Sequence, residues 1–403
     1  MIHRALISGI TSQGVNVIDL ELCPIPVTRY ELKSSNSQGG FHVRKSPYDL
    51  PLIDIKFFDN NGLDLLSAKE KTIEKYFYSE DFPRISTEEV GLITFPYSRV
   101  IERYIYSFLQ TINQDAISKK NFKIVIDYAY GSASRILPSI LGDLNCEVVS
   151  LNSNIDEKKI TKTAIEFDYS LSQLSNIVVT LGAHAGFLLD TGGEKIFIVD
   201  EKGTVYSPRN LLEIISLLYF KNYKGAKVAI PAYASRTLEE MAKKYDCQIR
   251  RTKIGSADIM EAVVENKYMY AGDANGGFIF TEFQPAFDAM MSLVKILEMI
   301  AISNTNLSDL RNEIPLTYQS NKNITCSWDD KGKVMRYLVE KNRRKKKTEF
   351  IEGMKLYNGN DWVLILPDPD KPLFQVYAEA GNKDTLDKLI NETISEIETA
   401  RTM

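Results

Sequence analysis

Residues 39–62 read GGFHVRKSPYDLPLIDIKFFDNNG. A glycine pair leads into a short apolar stretch, and DIKFF precedes a turn at Asn-Asn-Gly, so the pattern predicts two strands joined by a polar loop. The loop contains one serine, Ser46. A serine held beside a sheet is a candidate nucleophile, but no histidine or carboxylate lies at an obvious activating spacing, so an ordinary turn serine remains the alternative.

Strand and helix patterns alternate over most of the remaining chain. KIVIDYAYG (123–131) and AKVAIP (226–231) are apolar runs that are each followed by a helical pattern and a further short strand. This repetition predicts parallel sheets covered by helices. We expect Pro138 to bend the first of these helices.

The C-terminal part has a different pattern, with two strands around a proline-rich loop and a closing helix, which predicts a small α+β domain. We place the four domains at 1–88, 89–207, 208–316 and 317–403, each near the usual domain size.

Composition excludes several classes of function. The chain has 403 residues, a net charge of −4 and 44% apolar residues, which is typical of a soluble protein and argues against a dedicated nucleic-acid binder. The basic run KNRRKKK (341–347) is interpreted as a solvated loop, with a polyanion contact as the alternative. The four cysteines include no CxxC pair, which predicts free thiols in the cytoplasm. No stretch indicates a signal peptide or a membrane span.

Several segments occur in a fixed order along the chain. They are GVNVIDLELCPIPVTRY, the stretch 39–62, KIVIDYAYGSAS, IFIVDEKG, RRTKIGSADIMEAV and WVLILP…VYAEA. This framework resembles the α-D-phosphohexomutase superfamily, which includes phosphomannomutases and phosphoglucomutases. It is most similar to the mutase-like C-terminal half of bacterial mannose-1-phosphate guanylyltransferase/phosphomannomutase fusion proteins.

The resemblance implies an α/β fold in which three αβ layered domains and a small C-terminal α+β domain surround a central cleft. It also implies a hexose phosphate ligand, a phosphoserine and Mg²⁺. Because Met1–Ile2 match the end of a family segment, we expect an N-terminally incomplete first domain. We also expect an upstream nucleotidyltransferase partner.

Two of the four functional loops in the resemblance concern phosphoryl transfer. Ser46 falls on the phosphoserine position, but its neighbours include Arg44 and Lys45 in place of the family's Thr-Ala. These cations either pair with a phosphate or, as we favour, are solvated. The metal loop reads DTGGEK (190–195), which keeps Asp190 and Glu194 as carboxylates. Weak Mg²⁺ binding and a solvated hairpin are both consistent with it.

The other two loops concern the sugar and its phosphate. The sugar loop reads GDANGG (272–277), in which Asp273 and Asn275 can still hydrogen-bond hydroxyl groups. The phosphate loop reads LPDPDKP (366–372), where Asp368 and Asp370 would repel a phosphate and Lys371 would offset this only in part.

The resemblance therefore predicts a phosphohexomutase-like protein with a degenerate active site and weak or no intramolecular phosphotransfer. The alternative is a non-catalytic module that senses a sugar phosphate or supports assembly of a nucleotidyltransferase. Whether the chain is an enzyme stays open at this point, since catalysis by positioning requires all four loops together.

Overall fold

A computed structural model describes residues 1–47, 52–80, 82, 85–343, 347–369 and 371–402. Four regions each build their own sheets and helices in chain order. Among these described residues, no helix is both long and apolar enough to cross a membrane.

The first domain forms two separate strand pairs in its described part. β1 pairs in parallel with β4, and β2 pairs antiparallel with β3, so that Gly39 faces Asp59 and Lys45 faces Ile53. The helix α3 has no buried residue. The elements are α1 (Ile2–Thr11), β1 (Val17–Ile18), α2 (Ile25–Ser34), β2 (Gly39–Lys45), β3 (Ile53–Asp59), α3 (Ser67–Ser79), a 3₁₀ turn (Thr87–Glu89) and β4 (Ile93–Thr94).

The second domain has a four-stranded sheet in the order β6-β5-β7-β8, parallel except for β8. Pro138 lies in the first turn of α6 and does not bend a longer helix, so that expectation is wrong; proline suits this position because its missing N–H has no helical acceptor there. The elements are α4 (Tyr97–Gln110), α5 (Gln114–Lys120), β5 (Lys123–Asp127), a 3₁₀ turn (Ser132–Arg135), α6 (Leu137–Asp143), β6 (Glu147–Leu151), α7 (Ala164–Leu181), β7 (Ala185–Leu189) and β8 (Ile196–Asp200).

The third domain repeats this plan with the sheet order β10-β9-β11-β12 and an antiparallel β12. One apolar cluster runs through the second and third domains, because α8 and α11 are buried on nearly all sides. The elements are α8 (Pro208–Asn222), β9 (Lys227–Pro231), α9 (Thr237–Lys243), β10 (Gln248–Thr252), α10 (Ser256–Asn266), β11 (Tyr270–Gly272), β12 (Phe278–Phe280), α11 (Ala289–Ser303) and α12 (Leu307–Glu313).

The fourth domain is an antiparallel five-stranded sheet in the order β13-β17-β16-β15-β14, with two helices and its own apolar core. Lys355 ties it to the third domain, since its buried Nζ donates to the carbonyl oxygen of Ala232 at 2.7 Å. The elements are β13 (Tyr318–Thr325), α13 (Trp328–Asn342), β14 (Lys347–Glu349), β15 (Met354–Asn358), β16 (Asp361–Pro367), β17 (Leu373–Ala380) and α14 (Lys383–Thr402).

Candidate functional site

Ser46, the candidate nucleophile, lies directly after β2 and is only 4% exposed. The carbonyl oxygen of Ser46 accepts a hydrogen bond from Thr161 Oγ1 at 2.6 Å, and the Lys162 N–H donates to Pro47 at 3.3 Å. The loop therefore begins against the second domain, where burial restricts the access of a sugar phosphate to the hydroxyl. Tyr48, Asp49 and the two residues after them lie outside the described residues.

Arg44, two residues before this serine, is an ion-paired side chain. Its guanidinium lies 3.4 Å from Asp54 Oδ2 and 3.6 Å from Asp190 Oδ2, and the side chain is 17% exposed. The interpretation of Arg44 as a solvated charge is therefore wrong. That interpretation missed the pairing because Asp190 is distant in sequence.

Asp190 shapes the hairpin between β7 and β8. Its Oδ1 accepts hydrogen bonds from the N–H groups of Glu194 at 2.6 Å and Lys195 at 2.7 Å, and its Oδ2 accepts one from Gly192 at 3.2 Å. A short carboxylate that accepts N–H groups of its own turn is a structural device. Both oxygens of Asp190 are thus already in use within the chain.

Glu194 is buried among cations of the first domain. Its carboxylate accepts from Arg29 Nη2 at 2.6 Å and from Lys56 Nζ at 2.8 and 3.1 Å. Burial alone would raise the pKa of Glu194, but the nearby Lys56 and Arg29 outweigh it and hold this pKa well below its usual range. The carboxylate is therefore ionised and already neutralised. Arg29 also pairs with Asp64 at 2.6 Å, which anchors α2 to the β3 hairpin.

These residues do not fit a divalent cation. Mg²⁺ requires carboxylate oxygens in octahedral geometry, whereas Asp190 and Glu194 are occupied by N–H groups and by three basic side chains. A side chain at Gly192 would overlap the Arg44 guanidinium. No cluster of three or more potential ligands able to hold a metal occurs in the described part of the chain.

The sugar-loop residues Asp273 and Asn275 have different environments. Asp273 is buried, and its Oδ1 accepts from the N–H groups of Asn275 at 2.9 Å and Gly277 at 2.7 Å. Burial raises the pKa of Asp273 despite the opposing charge of Lys195. Asn275 is exposed, and its Nδ2 lies 3.4 Å from Tyr233 Oη. Asp273 thus holds the turn, while Asn275 presents its amide at the surface.

The phosphate-loop position is organised by the Asp368 carboxylate. Asp368 is 9% exposed and accepts from the Lys371 N–H at 2.9 Å and from Gln375 Nε2 at 2.7 Å. Lys331 Nζ, on α13, donates to the backbone carbonyl oxygens of Asp368 and Lys371. The negative charge is therefore held within the loop, and among its described residues the Lys371 N–H is already donated to Asp368. Asp370 lies outside the described residues.

Contacts connect these loops in series. Arg44 joins the serine strand to Asp190, and a β-bridge between Lys195 and Gly277 joins the metal loop to the sugar loop. Tyr233 stacks on Tyr377 with ring centroids 4.9 Å apart, which joins the sugar loop to the fourth domain. The serine strand, the metal loop and the sugar loop are therefore in contact in that order, and the stacked tyrosines connect the third domain to the fourth.

Sequence reasoning missed four residues of this site. Tyr233 lies outside the framework segments, and Arg29 lies within one, but the partners of both residues are far away in sequence. Lys56 and Tyr377 lie within framework segments, but their roles depend on contacts between domains.

The geometry defines a four-domain α/β protein with a set of interdomain loops. Models of the phosphoglucomutase/phosphomannomutase alpha/beta/alpha domains I, II and III match residues 1–84, 102–203 and 210–318. The chain therefore belongs to the phosphoglucomutase/phosphomannomutase family.

Relatives along the whole chain support this assignment. The phosphoglucomutase/phosphomannomutase of Thermococcus kodakarensis is 28% identical over 95% of this chain and 84% of its own. The phosphoglucosamine mutase of Methanocaldococcus jannaschii is 29% identical over 99% and 89%. A solved phosphoglucomutase/phosphomannomutase family protein from Burkholderia thailandensis superposes with a TM-score of 0.83 at 18% identity, covering 99% of this chain and 86% of that one, and so shares the fold.

Proposed function

We propose that this family member has lost Mg²⁺-dependent phosphoryl transfer and acts as a non-catalytic module that binds a hexose phosphate. The observation that carries the proposal is the occupation of both metal-loop carboxylates. Glu194 is neutralised by Arg29 and Lys56, and Asp190 binds its own loop and faces Arg44. Phosphoryl transfer depends almost entirely on positioning and charge neutralisation, so loss of the metal ligands removes the group that would stabilise the transition state.

Two further features support the loss of transfer. Ser46 is 4% exposed, which does not suit a group that must meet a substrate in line. At the phosphate position, the carboxylate of Asp368 takes the N–H of Lys371 for itself. A phosphate placed there would face a fixed negative charge within the loop.

Binding capacity remains in the sugar loop. The exposed amide of Asn275 supplies hydrogen bonds suited to sugar hydroxyls. Arg209 lies 5.8 Å from the Tyr377 ring and provides a cation near that end of the site. The names of the relatives suggest glucose, mannose and glucosamine phosphates as candidate ligands. We place the protein in the cytoplasm, where its four free cysteines would stay reduced.

The direct test is the phosphorylation state of Ser46. The purified protein is incubated with glucose 1,6-bisphosphate and Mg²⁺, and its intact mass is measured beside a Ser46→Ala control. We expect no added phosphate in either protein, together with calorimetric binding of a hexose phosphate that Asn275→Ala weakens. Phosphate on Ser46 of the wild-type chain would contradict the proposal.

A second candidate function is assembly with a sugar nucleotidyltransferase. It is favoured by α3, which has no buried residue and exposes Tyr76, Phe77 and Tyr78 to between 65% and 79%. Exposed aromatic residues grouped in this way are typical of protein interfaces. Copurification with a nucleotidyltransferase would support this role if Phe77→Glu abolishes it and Lys75→Glu preserves it. Equal recovery of the partner with both variants would contradict an interface at α3.

A further inference from the structure

The guanidinium of Arg44 makes few hydrogen bonds to the rest of the chain. Its Nη1 is buried without a hydrogen-bond partner and lies 3.6 Å from Asp190 Oδ2. Its Nε reaches Asp54 Oδ2 at 3.4 Å. The guanidinium is therefore held between two carboxylates mainly by charge, from two different domains.

Gly192 makes room for this guanidinium. Its backbone is outside the left-handed region, so conformation alone does not require glycine there. A Cβ at this position would overlap Arg44 Nη1 and lie 3.0 Å from Ile25 Cδ1 and 3.1 Å from Asp190 Oδ2, so the end of the Arg44 side chain would have to move. A longer side chain at 192 and Arg44 in its present position exclude each other. The two residues form a reciprocal pair across the domain junction.

We propose that the Arg44 guanidinium is a built-in cation that replaces a divalent metal at Asp190, and that Gly192 is the residue that admits it. The proposal rests on the proposed function, since the same loop is involved, and it adds a cause for the loss of metal. The guanidinium of Arg44 belongs to β2 of the same chain, so it lies beside Asp190 and neutralises it at any metal concentration. It follows that the junction of the first two domains is independent of metal and that the metal site is latent.

The test adds a second carboxylate beside Asp190 in the whole chain and removes the Arg44 cation. The variants are Arg44→Thr, Gly192→Asp and the double substitution, with Gly142→Asp as a matched control because a Cβ at Gly142 meets nothing within 4 Å. MnCl₂ is the probe, and binding is followed by water proton relaxation and by the melting temperature. We expect saturable Mn²⁺ binding by the double variant, displaced by Mg²⁺, and none by the wild-type chain or the control.

The single variants keep the idea falsifiable if the double variant folds poorly. Gly192→Asp alone should lower the melting temperature more than Gly142→Asp, and adding Arg44→Thr should restore part of that loss. Arg44→Thr alone leaves Asp190 without its cation but adds no carboxylate, so Mn²⁺ should not change its melting temperature.

Two results would overturn the proposal. One is specific Mn²⁺ binding by the wild-type chain that Asp190→Asn abolishes. The other is the absence of any Mn²⁺ effect on a folded double variant. If that variant folds poorly, the contradicting result is that Arg44→Thr restores none of the melting temperature lost in Gly192→Asp. Failure of the proposed function would look different, since it would appear as Ser46-dependent mutase turnover by the wild-type chain, whatever the Mn²⁺ titrations give.

Discussion

Replacing Arg29 with methionine removes the most buried cation of the site while nearly keeping its volume. The side chain is 1% exposed, and its Nη2 lies 2.6 Å from both Asp64 and Glu194. Removing one partner of a buried ion pair costs about 3–5 kcal/mol, because the other charge remains buried. Lys56 stays within 2.8 Å of Glu194 and 3.7 Å of Asp64. We therefore expect the low end of that range, about 3 kcal/mol.

Hydrogen exchange with mass spectrometry measures this loss locally. Peptides from β2, β3 and the 190–195 hairpin should exchange on the order of a hundredfold faster in Arg29→Met, since about 1.4 kcal/mol corresponds to a factor of ten. Lys388→Met is the matched control, because its pair with Glu392 is exposed and 3.9 Å long. The control should change by no more than about 0.5 kcal/mol. Equal protection in Arg29→Met and the wild-type chain would refute the reasoning.

Three further predictions concern other domains. Burial lowers the pKa of Lys355 to about 6 from 10.5, so the unfolded chain binds more protons between these pH values and the unfolding free energy should rise with pH across that window. Lys355→Met should abolish this rise in unfolding curves followed by tryptophan fluorescence. A rise that is unchanged in Lys355→Met would contradict this prediction. Asp273→Asn should lower the unfolding free energy by about 1–3 kcal/mol, because Asp273 holds its own turn. Asn275→Ala should leave the unfolding free energy unchanged and weaken the binding of mannose 1-phosphate. Calorimetry in which Asn275→Ala destabilises the fold and Asp273→Asn weakens binding instead would contradict this division of roles. Asp368→Asn should speed hydrogen exchange in the fourth domain without creating phosphate affinity, and tighter binding of a hexose phosphate would show that this loop limits it.

Local sequence patterns predicted much of the architecture. The runs that gave β5 (Lys123–Asp127) and β9 (Lys227–Pro231) are short, apolar and bounded by turn residues, so their type is encoded locally. The four-domain α/β fold followed from the ordered framework and is confirmed. Pro138 was misplaced because a proline in a helical stretch is compatible with both a bend and a first turn.

The state of the site could not be predicted in the same way. Arg29 and Glu194 are separated by 165 residues, and no local signal says that a helix of the first domain neutralises a loop of the second. Arg44 and Gly192 are related only by space, which sequence spacing does not record. The role of Asp273 was closer to reach, because a short carboxylate before Gly276 and Gly277 often caps its own turn. The predicted sugar-binding role of Asp273 and Asn275 stays a prediction.

A coupled mutase assay measures whether the protein has lost phosphoryl transfer. Mannose 1-phosphate, glucose 1-phosphate and glucosamine 1-phosphate are each supplied with a hexose bisphosphate activator, with Mg²⁺ and with a chelator. We expect no turnover above a Ser46→Ala control in either condition, because Arg29, Lys56 and Arg44 neutralise the carboxylates that a metal would need. Mg²⁺-dependent turnover that Ser46→Ala abolishes would contradict it.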